Sequence, residues 1–352
     1  MIKSLNFKIL KAIIFIVAFV FSTFLSQAQL FKAKIKTVLK PQTSIRALLV
    51  TEDNHLWFAG ANNTFGCSFD GGKTWDVDSI NFHGQDIHFR GIAKSGSGVN
   101  IMGVDNPAFF FRTEDEGLNW LLSYFEDEPG VFYDAMAFFD DDEGIAFGDP
   151  LDSCFSVLKT YDSGKTWQKL TCSTLPKSKN GQGAFAASNT NIAIQGDSVW
   201  FVTGGFEADV LFSPDRGKTW ELQACSFIDG SEMTGMFSVD FYDAKTGFII
   251  GGDWENQTSA LKNKAKTIDG GKTWEILADQ SLPPYQSCVK YVPNSKAKRL
   301  LSVGMPGVFY SEDGGEHWVK LSDEAFYTID FLNETTAFLA GNKRIAKLVF
   351  SK

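Results

Sequence analysis

Apolar residues along this chain come in short runs, and the runs come in pairs. "IRALLVTEDNHLWFAG" (45–60) sets one run against another across a polar turn and closes on glycine. The arrangement returns as "FRGIAKSGSGVNIMG" (89–103), "DAMAFFDDDEGIAFG" (134–148), "TNIAIQGDSVWFVTGG" (190–205), "FSVDFYDAKTGFIIGG" (237–252), "CVKYVPNSKAKRLLSVG" (288–304) and "YTIDFLNETTAFLAG" (327–341), seven copies in all. Phe, Ile, Val and Leu crowd the runs and alternate imperfectly with polar residues, which suits strands covered on both faces by neighbouring units. Helical periodicity is absent beyond the first 28 residues.

Between the pairs stands a second repeat: SFDGGKTW (68–75), TEDEGLNW (113–120), TYDSGKTW (160–167), SPDRGKTW (213–220), TIDGGKTW (267–274) and SEDGGEHW (311–318). Its aspartates are Asp70, Asp115, Asp162, Asp215, Asp269 and Asp313, and its tryptophans Trp75, Trp120, Trp167, Trp220, Trp274 and Trp318. A short Asp side chain accepts from backbone N–H groups just ahead of it and closes a turn. Gly two residues on supplies a positive φ, and the Trp opens an outgoing strand and covers the turn. Because each carboxylate finds its partners locally, the six are read as folding clips and not as metal or substrate ligands.

Trp-to-Trp spacings of 45, 47, 53, 54 and 44 residues give a period in the forties, which marks propeller blades or a similar array. Each unit then holds four strands, two from the apolar pair and two joined by the Asp turn. The seventh unit has only "NKRIAKLVFSK" (342–352) after its pair, while an unassigned alternating strand, "LFKAKIKTVLK" (30–40), precedes the first. Pairing those two ends completes the last blade and removes the exposed edges of an open array. The expected fold is all-β, a seven-bladed β-propeller of four-stranded blades closed by the N-terminal strand, with residues 29–352 as one domain.

The Ser/Thr-x-Asp-x-Gly-x-x-Trp frame resembles the Asp-box, or BNR repeat, of sialidases, sortilin-type receptors, two-propeller xyloglucanases and photosystem II assembly factors of the Ycf48/HCF136 type. "FGDPLDSCFSVLKTYDSGKTW" (147–167), "GQGAFAASN" (181–189) and "GGDW" (251–254) are similar to stretches of exported single-propeller proteins described as Ycf48-like. The resemblance implies architecture far more than activity. Sialidases use three clustered arginines and a Tyr–Glu nucleophile pair, whereas this chain has six arginines and, in "FRGI" (89–92), only a distant counterpart of their FRIP stretch. Xyloglucanases need two propellers. The arginine-rich patch associated with the photosystem factors has no obvious counterpart here, so a photosynthetic partner is not implied.

A basic start (Lys3, Lys8, Lys11), the apolar run "AIIFIVAFVF" (12–21) and the small residues "SQA" (26–28) read as a cleaved signal peptide over 1–28. With no Cys at the cleavage point a lipid anchor is not expected. The protein should be secreted or periplasmic, without a membrane span and monomeric. Net charge is −9, or −12 once three leader lysines are removed (30 basic against 42 acidic side chains), which argues against nucleic acid as a partner. Five widely spaced cysteines and four scattered histidines form neither a zinc pattern nor a disulfide framework. Cys154 and Cys172, on either side of the third Asp turn, allow one cross-strand disulfide. No metal and no cofactor is expected.

If every Asp turn lies on one rim, ligands belong to the other, where loops lead into each first strand and out of each second. The candidates read from those positions are Arg46, Arg90, Asp105, Asp134, Asp149, Gln182, Ser188, Asp253, Tyr285 and Arg344. Asn or Asp after Gly is ordinary turn chemistry. Arg and Asp at the first inward position of a buried strand are costly unless they pair or face water, and Arg46, Arg90 and Asp134 hold that position in consecutive blades. Three functions fit. The first is a non-catalytic binding or assembly module that engages a protein or glycan at the funnel rim. The alternative is a glycan-active enzyme, a hydrolase or lyase, using funnel carboxylates such as Asp134, Asp149 and Asp253. The third is a surface protein whose channel is plugged, with "PAFFF" (107–111) and "GAFAAS" (183–188) as fillers.

Overall fold

The computed structural model describes residues 32–51, 53–277 and 280–351; the expected leader lies outside them. Among the described residues short β-strands and one 3₁₀ turn (Cys172–Thr174) make up the regular structure, and the compact body runs from Ile35 to Val349. Among the described residues no helix is long and apolar enough to cross a membrane.

Seven antiparallel sheets form, one per predicted unit. Blade 1 runs from the inside out as Ile45–Val50, Leu56–Gly60, Thr64–Ser68 and Asp76–Ser79. The inner strands of blades 2 to 6 are Phe89–Ser95, Tyr133–Phe138, Ile192–Gln195, Thr234–Phe241 and Cys288–Tyr291. Blade 7 has the order Thr328–Asn333, Thr336–Gly341, Arg344–Ser351, Lys32–Leu39, so the first strand of the chain forms its outer edge as expected. Two-residue strands at Gln182–Gly183 and Gly204–Gly205 extend the inner edge of blade 5.

Apolar side chains pack between adjacent blades. Phe147 of blade 3 stacks on Phe201 of blade 4 at 4.2 Å, and Trp200 of blade 4 on Phe241 of blade 5 at 3.8 Å. The "PAFFF" residues belong to this inter-blade core: Phe109, Phe110 and Phe111 are buried in the third strand of blade 2, away from the channel they were expected to fill.

The six Asp turns share one geometry. The leading Ser or Thr hydroxyl accepts the N–H of the Gly four residues on, at 2.7–3.0 Å in every copy, and the Asp accepts the N–H of the residue four beyond itself at 2.8–3.0 Å. Those bonds hold the carboxyls below the usual range, through the Thr74 N–H for Asp70 and the Asn119 side chain for Asp115. Asp70 and Asp313 are exposed and the other four aspartates half-buried, whereas the leading Ser and Thr residues are buried in every copy. Three of the indoles, Trp75, Trp220 and Trp318, donate to the glycine carbonyl of their own turn.

Pairing Ile45↔Gly60 and Val50↔Leu56↔Ser68 puts the Asp turns at the end where inner strands finish, leaving inner-strand starts on the opposite rim. Cys154 and Cys172 are disulfide-bonded. Cys172 stands in the 3₁₀ turn just past the outer strand, not on the strand itself. The remaining cysteines, Cys67, Cys225 and Cys288, are buried thiols.

Candidate functional site

The inner strands carry one irregularity four times. In blade 1 Ile45 pairs with Gly60 and Ala47 with Ala59, so Arg46 is an extra, unpaired residue. Arg90, Asp134 and Phe237 are skipped in the same way in blades 2, 3 and 5. A bulge inserts one residue into a ladder and re-aims its side chain. Four bulges at one level of the ring therefore direct Arg46, Arg90, Asp134 and Phe237 toward the mouth opposite the Asp turns.

Beneath them the channel is closed. Residues 186–190, on the way from blade 3 to blade 4, cross it and bond to the inner strands of the six other blades. Arg46 donates to the Ala187 carbonyl (3.2 Å), Asn189 donates to the Ile92 carbonyl (3.0 Å) and accepts from the Met136 N–H (3.0 Å). Val239 N–H donates to the Thr190 carbonyl, Ser188 Oγ to the Ser287 carbonyl and Thr328 Oγ1 to the Ser188 carbonyl. Small side chains make the crossing possible, and this part of the "GAFAAS" expectation matches the structure. The closure is by backbone and small polar groups as well as by Phe185.

Above the plug is a cavity of about 670 Å³. One wall is basic. Arg46 stacks on the Tyr327 ring at 4.2 Å, and Arg90 is half-buried with no hydrogen bond or ion pair among the described residues. Burial, reinforced by the charge of Arg46, lowers the Arg90 pKa against the opposing influence of Asp105 and Asp134. The other wall is aromatic. Phe185 and Phe237 stack at 3.9 Å, with Tyr285 edge-on to Phe237 at 4.9 Å. Phe185 lies against glycines: a Cβ on Gly204 would come within 2.5 Å of its ring. At the lip, Phe206 and Trp254 are 50% and 44% exposed.

Two acids lie close to the arginines. Asp149 lines the cavity and accepts the Ala184 N–H at 2.8 Å; burial nevertheless raises its pKa to about 6. Asp134 is 0% exposed, and neither oxygen has a hydrogen bond of good geometry. Burial and then the Asp149 charge push its pKa well up, only partly opposed by Arg90 and the Ala186 N–H.

The sequence candidates thus separate. Arg46, Arg90, Asp149, Gln182 and Tyr285 line the cavity, with Asp134 behind. Gln182 is already engaged, donating to Asp209 (2.9 Å) and Thr203 (3.0 Å) and accepting from the Lys179 N–H. Ser188 belongs to the plug and faces the other mouth. Asp105 is exposed outside the cavity. Asp253 caps its own turn through the N–H groups of Glu255 and Asn256. Arg344 pairs with Glu324 at 2.7 Å and stacks on Phe326. Sequence reasoning passed over Phe237 and read Phe185 only as a channel filler within "GAFAAS"; Phe237 occupies the same register slot as Arg46 and Arg90, which was the signal available for it.

Residues 36–130 match the family model described as photosynthesis system II assembly factor YCF48. In shape the chain is similar to YCF48 bound to a D1 peptide, with 18% identity over 91% of this chain and 97% of that one and a TM-score of 0.64. YCF48 from Cyanidioschyzon merolae gives 15% identity, 90% and 98% coverage and a TM-score of 0.63. The WD40 repeats of RRP9 give 11% identity, 91% and 100% coverage and a TM-score of 0.58, a likeness of fold alone. No curated protein matches the sequence. With the repeated turns, the first-blades match and the whole-ring likeness taken together, the chain is a seven-bladed β-propeller similar to the Ycf48-like BNR-repeat propellers.

Proposed function

We propose that this protein is a non-catalytic binding or assembly module that holds a segment of a protein partner in the funnel opposite the Asp turns. The observation that carries the reading is the set of four register-matched bulges aiming two arginines and a phenylalanine into one cavity. Strand irregularities are retained where they place side chains for a purpose. That YCF48, a fold relative, has been solved with a peptide bound supports a protein partner. The catalytic alternative is less well served. Two carboxyls must both reach a glycoside, yet Asp134 is fully buried and Asp253 is occupied in its turn. The basic start and apolar run of the first 28 residues support export ahead of this role.

The test is affinity capture from the native envelope with wild type, Phe237→Ala and a control variant on the Asp-turn rim, Ile268→Ala. Loss of the captured partner in the first variant alone is expected. Equal capture by all three places binding elsewhere, and turnover of a glycan by the purified protein overturns the non-catalytic reading. N-terminal sequencing of the envelope protein should start at Gln29; a retained leader contradicts export by cleavage.

A further inference from the structure

We infer that the funnel receives the free C-terminal carboxylate of a partner chain ending in an apolar residue, the carboxylate on Arg90 and Arg46 and the last side chain against Phe185, Phe237 and Tyr285. This rests on the reading of the funnel as the binding face. Three observations carry it.

The first is charge. Arg90 is half-buried with no hydrogen bond or ion pair among the described residues, and its neighbour is a second guanidinium. The planar fork of Arg matches a carboxylate in two parallel hydrogen bonds. The acids alongside do not satisfy it: among the described residues Asp105, Asp134 and Asp149 make no hydrogen bond or ion pair with Arg90, and Asp149 accepts the Ala184 N–H. A chain of net charge −9 thus carries a cationic spot at the base of its main funnel.

The second is the aromatic shelf. Gln182 is engaged by Asp209, Thr203 and Lys179, and Phe185, Phe237 and Tyr285 present an apolar contact surface beside the arginines. An apolar side chain buries there without leaving polar groups unpaired.

The third is the floor. Residues 186–190 bridge the inner strands of the six other blades, so the cavity is blind. An internal loop would have to enter and turn back within about 670 Å³, whereas a chain end simply stops. A C-terminus satisfies the arginines and an N-terminal amine does not.

Calorimetric titration of the whole protein tests this with three probes: acetyl-Ala-Ala-Phe as free acid, the same tripeptide as C-terminal amide, and 3-phenylpropionate. The free-acid peptide should bind, with the amide at least about tenfold weaker. Arg90→Gln should weaken the acid by a similar factor and leave the amide unchanged. Arg90→Lys, which keeps charge without the fork, should fall between, and Phe237→Ala should weaken both peptides. Bound anion beside Asp149 should raise that carboxyl's proton affinity, so acid binding tightens from pH 8 to pH 6 in wild type and not in Asp149→Asn. The other charged and titratable groups facing this spot are Arg46, Asp105, Asp134, Glu232, Tyr285 and Tyr327, present in both. Equal binding of acid and amide, indifference to Arg90→Gln, or no heat from any probe overturns the inference. Phenylpropionate binding as tightly as the tripeptide assigns the site to a free small acid and also overturns it. If the envelope partner is kept by Arg90→Gln but lost by Phe237→Ala, the binding function stands and the C-terminus inference fails.

Discussion

Replacing Asn189 by Ala should loosen the ring from its centre. Asn189 sits in the plug at φ +59°, a conformation that Asn tolerates and Ala resists by roughly 1 kcal/mol. Its side chain accepts the Met136 N–H at 3.0 Å and donates to the Ile92 carbonyl at 3.0 Å, tying blades 3 and 2 to the crossing segment. Truncation leaves the Met136 N–H without its acceptor, worth about 1–3 kcal/mol, and the Ile92 carbonyl without its donor, worth about 1 kcal/mol. The sum is a loss of about 3–5 kcal/mol. Asn189→Gly separates the parts, because it removes the backbone strain and keeps only the hydrogen-bond loss, so it should recover about 1 kcal/mol relative to Ala. Urea unfolding of wild type and both variants gives the values, and hydrogen exchange at the Met136 amide gives the local signature, faster in both variants. A loss under about 1 kcal/mol for Asn189→Ala with unchanged Met136 protection would refute the claim that the plug braces the ring.

Further outcomes follow from the same contacts. Thr160→Val keeps shape but leaves the Gly164 N–H and Asp162 without the hydroxyl that bonds them at 2.9 and 2.8 Å; thermal unfolding should show a loss of about 1–3 kcal/mol, and Thr160→Ser should restore it. Asp149 has a folded pKa raised from 3.8 to about 6, so the folded chain keeps a proton that the unfolded chain releases. Its contribution therefore falls as pH rises through that window. Asp149→Asn, whose oxygen can still accept the Ala184 N–H, should be about 1–3 kcal/mol more stable than wild type at pH 7 and equal to it at pH 3; an unchanged pH slope contradicts the assignment. The Cys154–Cys172 disulfide spans 18 residues, and Cys154→Ser/Cys172→Ser should lose about 2–4 kcal/mol relative to the oxidised wild type; denaturant unfolding of the reduced wild type should match the variant.

The ring was legible because its repeats are local. Each Asp turn and each glycine-ended pair states its own geometry within a few residues, and the missing outer strand of the last blade pointed to the spare strand at residues 30–40. Arg46, Arg90 and Asp134 were legible as charged residues at a register slot that should be inward. The bulges that aim them were not, since an extra residue in a strand leaves no signal in an apolar pattern. Phe237 fills the same slot but reads as core. The plug was half visible: "GAFAAS" stood out as a filler, but its hydrogen bonds to the other blades join residues up to about 140 apart in sequence, and no local pattern encodes such contacts. Asp253 and Arg344 were misleading for the opposite reason, because nearby backbone and Glu324 satisfy them.

The central claim is that partners bind at the bulge-lined mouth. Site-specific photocrosslinking in the native envelope tests it most directly, with benzoylphenylalanine placed at Phe206 on the funnel lip or at Ile268, 74% exposed on the Asp-turn rim. The account predicts one discrete crosslinked protein from position 206, abolished by Phe237→Ala, and none from position 268. Crosslinks from position 268 with none from 206 would place the binding face on the opposite rim and contradict it.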